Sequence, residues 1–300
     1  MILFHGIVLL TDILNYMKTL LKIIKDSVKP SYLFCRQRIQ EIKWYAQYYL
    51  ARIEKLYPQK LTKLELNLNE KIVVLVPHAD DEWIGPYSVI RQRPPKLHVV
   101  YFNLFGDNYS DGNIYIRNSE IKASSEYWGF MLVANHTYDV KSLCEELQDA
   151  KYCFLPSPYD WHEEHRKVFR TFVEAYNKLK DEQKNRLEAY YYCVSVPHPK
   201  SLSLFYIPLN KGEVDEKWNQ FTKIYHSQAF MPSLRYKLQM RLVPSEVGYA
   251  AQTFIQANID RLFKDYEFVN TPNVVQELAD LKNHINDIVA SRRMLEQIKK

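Results

Sequence analysis

The apolar run Lys71–Val76 most strongly limits the folds open to this chain. It reads Lys-Ile-Val-Val-Leu-Val, is rich in β-branched residues, and has no polar interruption after the lysine. Such a run is typical of a strand covered on both faces, as in the parallel sheets of α/β proteins. Pro77 follows and cannot donate to a strand ladder, so we expect the strand to end there.

Strand-like and helix-like patterns alternate along the centre of the chain. The predicted strands are Lys71–Val76, Leu97–Leu104, Tyr152–Leu155, Tyr190–Val196 and Leu202–Leu209. The predicted helices are Ile84–Gln92, Ile116–Trp128, Ser142–Gln148 and His165–Leu179. This alternation predicts an α/β, Rossmann-like fold with a mainly parallel sheet flanked by helices.

The last two predicted strands are joined by the short segment Pro197–Ser201. We expect this segment to be too short for a crossover, so that the two strands pair antiparallel and the sheet is mixed. No Gly-x-Gly-x-x-Gly follows a predicted strand, which argues against dinucleotide binding.

Both ends of the chain have helical patterns. Apolar residues recur at helical spacing from Ile13 to Val28, a second helix is predicted over roughly Tyr32–Leu56, and a heptad-like pattern covers Val274–Leu295. We therefore predict a helical N-terminal extension at 1–66, a main domain at 67–258 and a helical C-terminal extension at 259–300. The last helix either mediates dimer formation or packs on the N-terminal helices of its own chain, and we favour the second.

Composition and charge limit the classes of partner. The net charge of +5 is dispersed, whereas a nucleic-acid binder should show a denser basic face. The four cysteines form no C-x-x-C pair and are typical of reduced thiols in a cytoplasmic protein. The apolar first ten residues lack the basic region and cleavage site of a signal peptide. Asp12 ends this apolar run before it reaches the roughly 20 residues that a membrane span needs. An interfacial N-terminal helix is a less favoured alternative.

Two polar clusters follow predicted strands. The first contains His78, Asp80 and Asp81, and the second contains His162 and His165, three residues apart on one helical face. Ligands of open α/β sheets bind outside the carboxyl ends of strands, so the clusters can converge. Two histidines and a carboxylate form a common catalytic zinc set. Either cluster alone is typical of a polar loop, but both together favour a metal site, without deciding which aspartate binds the ion.

Four motifs, in order, carry a family resemblance between Lys71 and Phe254. The segment Pro-His-Ala-Asp-Asp-Glu at 77–82 resembles the P-H-P-D-D-E signature of the PIG-L/LmbE-like N-acetylglucosaminyl deacetylase family. The second motif is Arg117-x-x-Glu120 with Ala123 and Trp128-Gly129-Phe130, which resembles the R-x-x-E…A…L-G-V helix of the family. The third motif, His162-Glu163-Glu164-His165, resembles H-P-D-H. The fourth motif, Tyr225-His226-Ser227-Gln228, resembles (H/Y)-x-S-Q.

This resemblance implies a zinc-dependent hydrolase that removes the N-acetyl group from a GlcNAc-type sugar or glycoconjugate. The resemblance implies that His78, Asp81 and His165 are Zn²⁺ ligands and that Asp80 is the general base. It implies that His162 stabilises the oxyanion or donates a proton to the amine, and that Glu164 orients this catalytic histidine. Arg117 would contact the sugar. Glu82 is expected only to begin the next helix, where its charge suits the N-terminal dipole.

Departures from the family pattern are Ala79 and Glu163 in place of prolines, Glu164 in place of an aspartate, and a long segment at Asn103–Tyr115 that we expect to shape the substrate pocket. Two alternatives stay open beside the deacetylase. One is a zinc amidase acting on a different amide-bearing sugar conjugate, and the other is a non-catalytic glycan-binding or scaffold protein. Homo-oligomer formation is also open.

Overall fold

The computed structural model describes residues 29–102 and 111–298. The helix predicted from Ile13 to Val28 and most of the loop from Asn103 to Tyr115 lie outside the described residues.

Strands and helices alternate through the centre of the described chain. The strands are β1 (Leu61–Lys63), β2 (Lys71–Val76), β3 (Leu97–Tyr101), β4 (Met131–Ala134), β5 (Ala150–Pro156), β6 (Glu188–Tyr192), β7 (Leu204–Leu209) and β8 (Ala250–Gln256). The α-helices are α1 (Lys29–Ile53), α2 (Asp81–Ile84), α3 (Tyr87–Ile90), α4 (Asp111–Trp128), α5 (Val140–Leu147), α6 (Glu163–Lys178), α7 (Asp181–Arg186), α8 (Lys211–Ile224), α9 (Ser233–Met240), α10 (Ile259–Val269), α11 (Pro272–Asp280) and α12 (Ile288–Ile298). Short 3₁₀ turns cover His226–Gln228, Ser245–Val247 and Leu281–His284.

The strands form one mixed sheet in the order β1-β7-β8-β6-β5-β2-β3-β4. All neighbouring strands of this described sheet run parallel except for β8, which is antiparallel to both β6 and β7. The predicted mixed, mainly parallel α/β sheet is therefore confirmed. Sequence patterns did not predict β1, β4 or β8, and β1 falls within the predicted N-terminal extension.

Strand β2 lies at the centre of the core. Val73 and Leu75 pack into the cluster on one face of the sheet, and Ile72, Val74 and Val76 pack into the cluster on the other. All five side chains are fully buried. The prediction of a strand covered on both faces is confirmed, and β2 lies inside the sheet between β5 and β3.

The predicted antiparallel pairing of the last two strands is wrong. Strand β6 ends at Tyr192 and β7 begins at Leu204, and β8 lies between them and pairs with both. The connection is longer than the predicted strand bounds suggested, so it passes over β8. Within it, His198 Nε2 lies 3.0 Å from the carbonyl oxygen of Thr253 in β8.

The two ends of the described chain pack together. Trp44 and Tyr48 of α1 join Leu238 of α9 and Ile288 and Val289 of α12 in one buried cluster. The continuous C-terminal pattern is broken into α11, a 3₁₀ turn and α12, so a single long coiled-coil helix is not formed. The favoured packing of the C-terminal helix on the N-terminal helix of the same chain is confirmed. None of the described helices has the length and apolarity needed to cross a membrane.

Candidate active site and metal centre

A topological switch point positions the two polar clusters. The chain runs from β2 to β3 and β4 on one side and then returns to β5 on the other side of β2. The loops that leave β2 and β5 therefore diverge and open a crevice at the carboxyl edge of the sheet. The loop after β2 supplies His78, Asp80 and Asp81, and the loop and helix start after β5 supply His162 and His165.

The loop after β2 turns sharply at Asp80. Its φ of 129° lies in a region that residues with a side chain rarely adopt, a conformation that costs on the order of 1–3 kcal/mol. The peptide nitrogen of Asp80 donates to Glu82 Oε2 at 3.1 Å, and its carbonyl oxygen accepts from Trp83 and Ile84, both at 2.9 Å. The strained turn is thus fixed by the first turn of α2, and it places Asp80 and Asp81 beside the crevice.

His78, Asp81 and His165 form a candidate metal centre. Their potential ligand atoms all lie within 4.8 Å of one another. Asp81 Oδ2 lies 3.2 Å from His78 Nδ1 and 3.4 Å from His165 Nε2. The predicted metal ligands are therefore brought together from two distant segments.

The environment of His165 fits a bound divalent ion. Both ring nitrogens are buried and have no hydrogen-bond partner of suitable geometry among the described residues. A buried polar atom without a partner is costly, and a cation uses such a lone pair. Two imidazoles and one carboxylate are donors that suit zinc.

Charge within this cluster also indicates a cation. Burial opposes charge on both groups, yet the His165 imidazole lowers the pKa of Asp81, and Asp81 together with Asp160 raises the pKa of His165 to about 10. A proton thus occupies a position that a metal ion would compete for, since metal binding releases protons from its ligands.

Asp160 is a buried carboxylate beside His165 that had no predicted role. It is 1% exposed, and its Oδ2 lies 3.4 Å from His165 Nδ1. Its carboxylate accepts from the peptide nitrogens of His162 at 3.2 Å and Ser195 at 3.3 Å. A carboxylate on the second nitrogen of a metal-binding histidine fixes the ring and raises its basicity. Its position five residues before His165 was the available signal.

Asp80 lies apart from this donor set and is paired with an arginine. Arg117 Nη2 lies 2.8 Å from Asp80 Oδ2, and both residues are buried. Burial raises the pKa of Asp80 to about 6, although the Arg117 guanidinium opposes the rise. Arg117 therefore contacts the expected general base, and its contact with a sugar stays a prediction.

His162 lies next to His165 of the donor set. Its ring centroid is 4.9 Å from that of His165 and 3.5 Å from the ring of Trp161. Burial lowers its pKa, against the effect of Glu164, whose Oε2 lies 3.5 Å from His162 Nδ1. That distance is an ion-pair contact and is long for a hydrogen bond. His78, His162 and Glu164 also form a second, more exposed group of potential ligands.

A cavity of about 150 Å³ opens onto this cluster. Five predicted site residues line it, namely His78, Asp80, Asp81, Arg117 and His162. Ser195, Gln228 and Tyr236 complete the polar part of the wall, while His165 lies buried beneath. Ser195 and Tyr236 carry no local motif and were not predicted.

The late motif at 225–228 supports the site from behind. Ser227 donates to Glu120 through its peptide nitrogen at 2.8 Å and through Oγ at 2.7 Å, and Arg117 Nη1 lies 3.5 Å from the same carboxylate. Glu82, expected only to begin a helix, is fully buried and accepts from Tyr225 and from Ser124 Oγ. Burial raises the pKa of Glu82 to about 7.

No protein-family model and no curated protein matches the chain. Solved structures with a similar arrangement include the conserved protein TT1542 from Thermus thermophilus, with 18% identity and a TM-score of 0.49 over 62% of this chain and 94% of that chain. The A40926 pseudoaglycone deacetylase Dbv21 has 12% identity and a TM-score of 0.49 over 63% of this chain and 98% of its own. A zinc-inhibited form of teicoplanin deacetylase Orf2 has 11% identity and a TM-score of 0.47 over 63% and 99%.

The fold and the chemistry of this chain are argued from its own strands and residues. The chain resembles LmbE/PIG-L-type deacetylases in four ordered motifs, and two of these three solved structures are described as deacetylases.

Proposed function

We propose that the protein is a zinc-dependent hydrolase that removes the acetyl group from an N-acetylated amino-sugar conjugate. The observation that carries this proposal is the joint placement of His78, Asp81 and His165 as a compact donor set beside Asp80, a separate carboxylate in the same cavity. The motif resemblance supports the acetylated sugar as substrate.

The residues of the donor set would hold the ion. His78 and Asp81 are offered by the loop after β2, and His165 by the first turns of α6, with Asp160 on its other nitrogen. A bound zinc ion would supply Lewis acidity that polarises an amide carbonyl and lowers the pKa of water from 15.7 to about 7.

Asp80 would accept the proton of the attacking water. With a pKa of about 6, the group is ionised at neutral pH yet basic enough to take a proton, which suits a general base. Arg117 holds Oδ2 at 2.8 Å and so orients the carboxylate toward the cavity that both residues line.

His162 would pass a proton to the departing amine. Because burial lowers its pKa, the ring is largely neutral at neutral pH. Glu164 faces Nδ1 and favours the tautomer with its hydrogen there, which leaves Nε2 free to take up a proton and deliver it. This is the role that the resemblance implies for His162, with Glu164 as the orienting residue.

The test measures acetate release from N-acetylglucosamine conjugates by purified protein supplied with zinc. We expect Asp80→Asn to lower the rate by about 10²–10⁴-fold while zinc content is unchanged, because only the proton acceptor is lost. His165→Ala should instead lose the zinc. Asp215→Asn, at a partly exposed position of α8, is the matched control and should retain activity.

Three results would contradict the proposal. Release that is unaffected by Asp80→Asn would refute the assigned base. Cleavage of a different amide, with no acetate from any N-acetyl sugar, would favour the amidase alternative. A protein that does not bind zinc at all would favour the non-catalytic glycan-binding or scaffold alternative.

A further inference from the structure

A second cavity lies behind the candidate active site. It has a volume of about 40 Å³, room for about three water molecules at roughly 10–15 Å³ each. Its walls come from β8, the connection between β6 and β7, and helices α8, α9 and α12. Ile84, Val194 and Tyr236 line both cavities, so the two lie back to back.

Two buried cationic side chains line this second cavity. Lys217 of α8 is 1% exposed and Arg292 of α12 is 7% exposed. Lys217 Nζ donates to the carbonyl oxygen of Ile84 at 2.8 Å, and Arg292 Nη1 donates to that of Leu56 at 2.7 Å. Both acceptors are neutral, so neither charge is offset by these hydrogen bonds.

Among the described residues, no carboxylate acts on the charge of Lys217, and Glu296 is the carboxylate that acts on the charge of Arg292. Glu296, one turn beyond Arg292 on α12, accepts instead from the peptide nitrogens of Lys200 and Ser201. The thiol of Cys193 lines the cavity, but burial raises its pKa, so it does not provide the negative charge at neutral pH.

Arg292, a lining residue of this cavity, also has a polar atom without a partner. Arg292 Nε is buried and has no hydrogen-bond acceptor among the described residues. Burial lowers the pKa of Lys217 to about 7, and it lowers the pKa of Arg292 to about 10 although the Glu296 carboxylate opposes this fall. Buried charges are otherwise paired, because an unpaired one is costly.

We propose that this cavity binds a small anion, of the size of chloride or a carboxylate group, between Lys217 and Arg292. The anion would accept hydrogen bonds from the Lys217 ammonium and the unpaired Arg292 Nε and offset both charges. It would thereby join α12, at the C-terminal end of the described chain, to α8 and the sheet. The inference is independent of the proposed deacetylase activity.

The first experiment measures the melting temperature of the full-length protein in sodium chloride, bromide, acetate or phosphate. Ionic strength is held constant with sodium gluconate, whose anion is too bulky for the cavity. We expect at least one small anion to raise the melting temperature saturably, by about 5 °C at saturation, because it binds only the folded state.

Variants then test where the anion binds. Lys217→Met keeps the length of the side chain but removes its charge, and it should lose the anion-dependent shift. In gluconate alone this variant should melt at or above the temperature of the unaltered protein, because an uncompensated buried charge has been removed. Arg292→Gln provides a second variant. Lys223→Met, an exposed position on the same helix, should keep the full shift.

Diffraction from crystals grown in bromide gives a direct test. An anomalous peak between Lys217 and Arg292 would support the proposal, and this readout distinguishes the cavity from the candidate metal centre. The proposal is overturned if no anion gives a shift beyond gluconate, if Lys217→Met and Arg292→Gln keep the whole shift, or if bromide occupies only other positions.

Discussion

Arg117 contacts the carboxylates of both Asp80 and Glu120. It pairs with Asp80 at 2.8 Å and lies 3.5 Å from Glu120, which in turn accepts two hydrogen bonds from Ser227. Asp80, the proposed general base, is therefore held by a chain of contacts that ends in the late motif of the sequence. Because Glu120 is not a lining residue of the cavity, we expect it to act by positioning Arg117.

Replacement of Glu120 tests this positioning. We expect Glu120→Gln to lower kcat for acetate release by roughly 10- to 100-fold with unchanged zinc content, because Arg117 and Ser227 lose their charged partner and Asp80 shifts. Steady-state kinetics and metal analysis measure both. Glu126→Gln, exposed on the same helix, should match the unaltered enzyme. Equal kcat in the two variants would exclude a positioning role.

At the scale of elements, the break between α2 and α3 lets the chain cross close to β6. A Cβ atom at Gly85 would lie 2.2 Å from Cδ2 of Tyr192, whose hydroxyl donates to the carbonyl oxygen of Leu75 at 2.7 Å. The tyrosine is fully buried and held by that bond. Only glycine allows α2, which carries Asp81, to approach the sheet this closely.

Gly85→Ala should therefore destabilise the fold. We expect the free energy of unfolding to fall by about 1–3 kcal/mol, the usual cost of an overpacked core. Urea denaturation followed by circular dichroism measures the change. Gly212→Ala is the control, since its added methyl group meets only Asn210 Oδ1 at 3.2 Å. Equal stability of the two variants would show that the Tyr192 ring moves aside.

Because of Lys217 on α8, we expect the free energy of unfolding to depend on pH. Burial lowers its pKa from 10.5 to about 7 in the folded state, so between these values the unfolded chain binds the extra proton and stability rises with pH. Arg292 keeps its proton at neutral pH, and the Cys193 thiol stays protonated.

In gluconate buffer, the unaltered protein should gain about 1 kcal/mol over Lys217→Met between pH 7 and 8. Chemical denaturation at each pH measures this difference. A parallel pH dependence in the two proteins would mean that Lys217 titrates normally.

On the scale of the whole molecule, the first and last described helices, α1 and α12, pack against each other. Ile288 of α12 is 2% exposed and packs with Trp44 of α1 and Leu238 of α9, and Trp44 Nε1 donates to the carbonyl oxygen of Asn286 at 3.1 Å. The apolar face of α12 is thus covered within one chain. Homo-oligomer formation stays a prediction that this contact does not require.

Ile288→Ala should reduce the free energy of unfolding by about 2–5 kcal/mol, through lost burial and the cavity left behind. The midpoint should not depend on protein concentration, because the contact is intramolecular. Denaturation at several concentrations measures both quantities. Ile53→Ala, 60% exposed on α1, should change stability by less than about 0.5 kcal/mol. A midpoint that rises with concentration would instead indicate a dimer contact.

The sequence by itself determined the α/β class, the burial of β2 on both faces, and the residues offered at the ends of β2 and β5. These features are local, since the period of apolar residues reports burial and a proline or charged cluster reports a strand end. The sequence also contains, in order, the four motifs that resemble one family. Thus the members of the candidate metal centre could be predicted before their distances were known.

Only the tertiary structure decided which distant segments meet. Strand β8 separates β6 from β7, Asp160 pairs with His165, and Lys217 faces the same cavity as Arg292. None of these contacts has a local signature, because strand order and cavity walls depend on how all elements compete to bury their faces. Sequence patterns therefore predicted the candidate metal ligands, while long-range packing brought them to their partners and formed the second cavity.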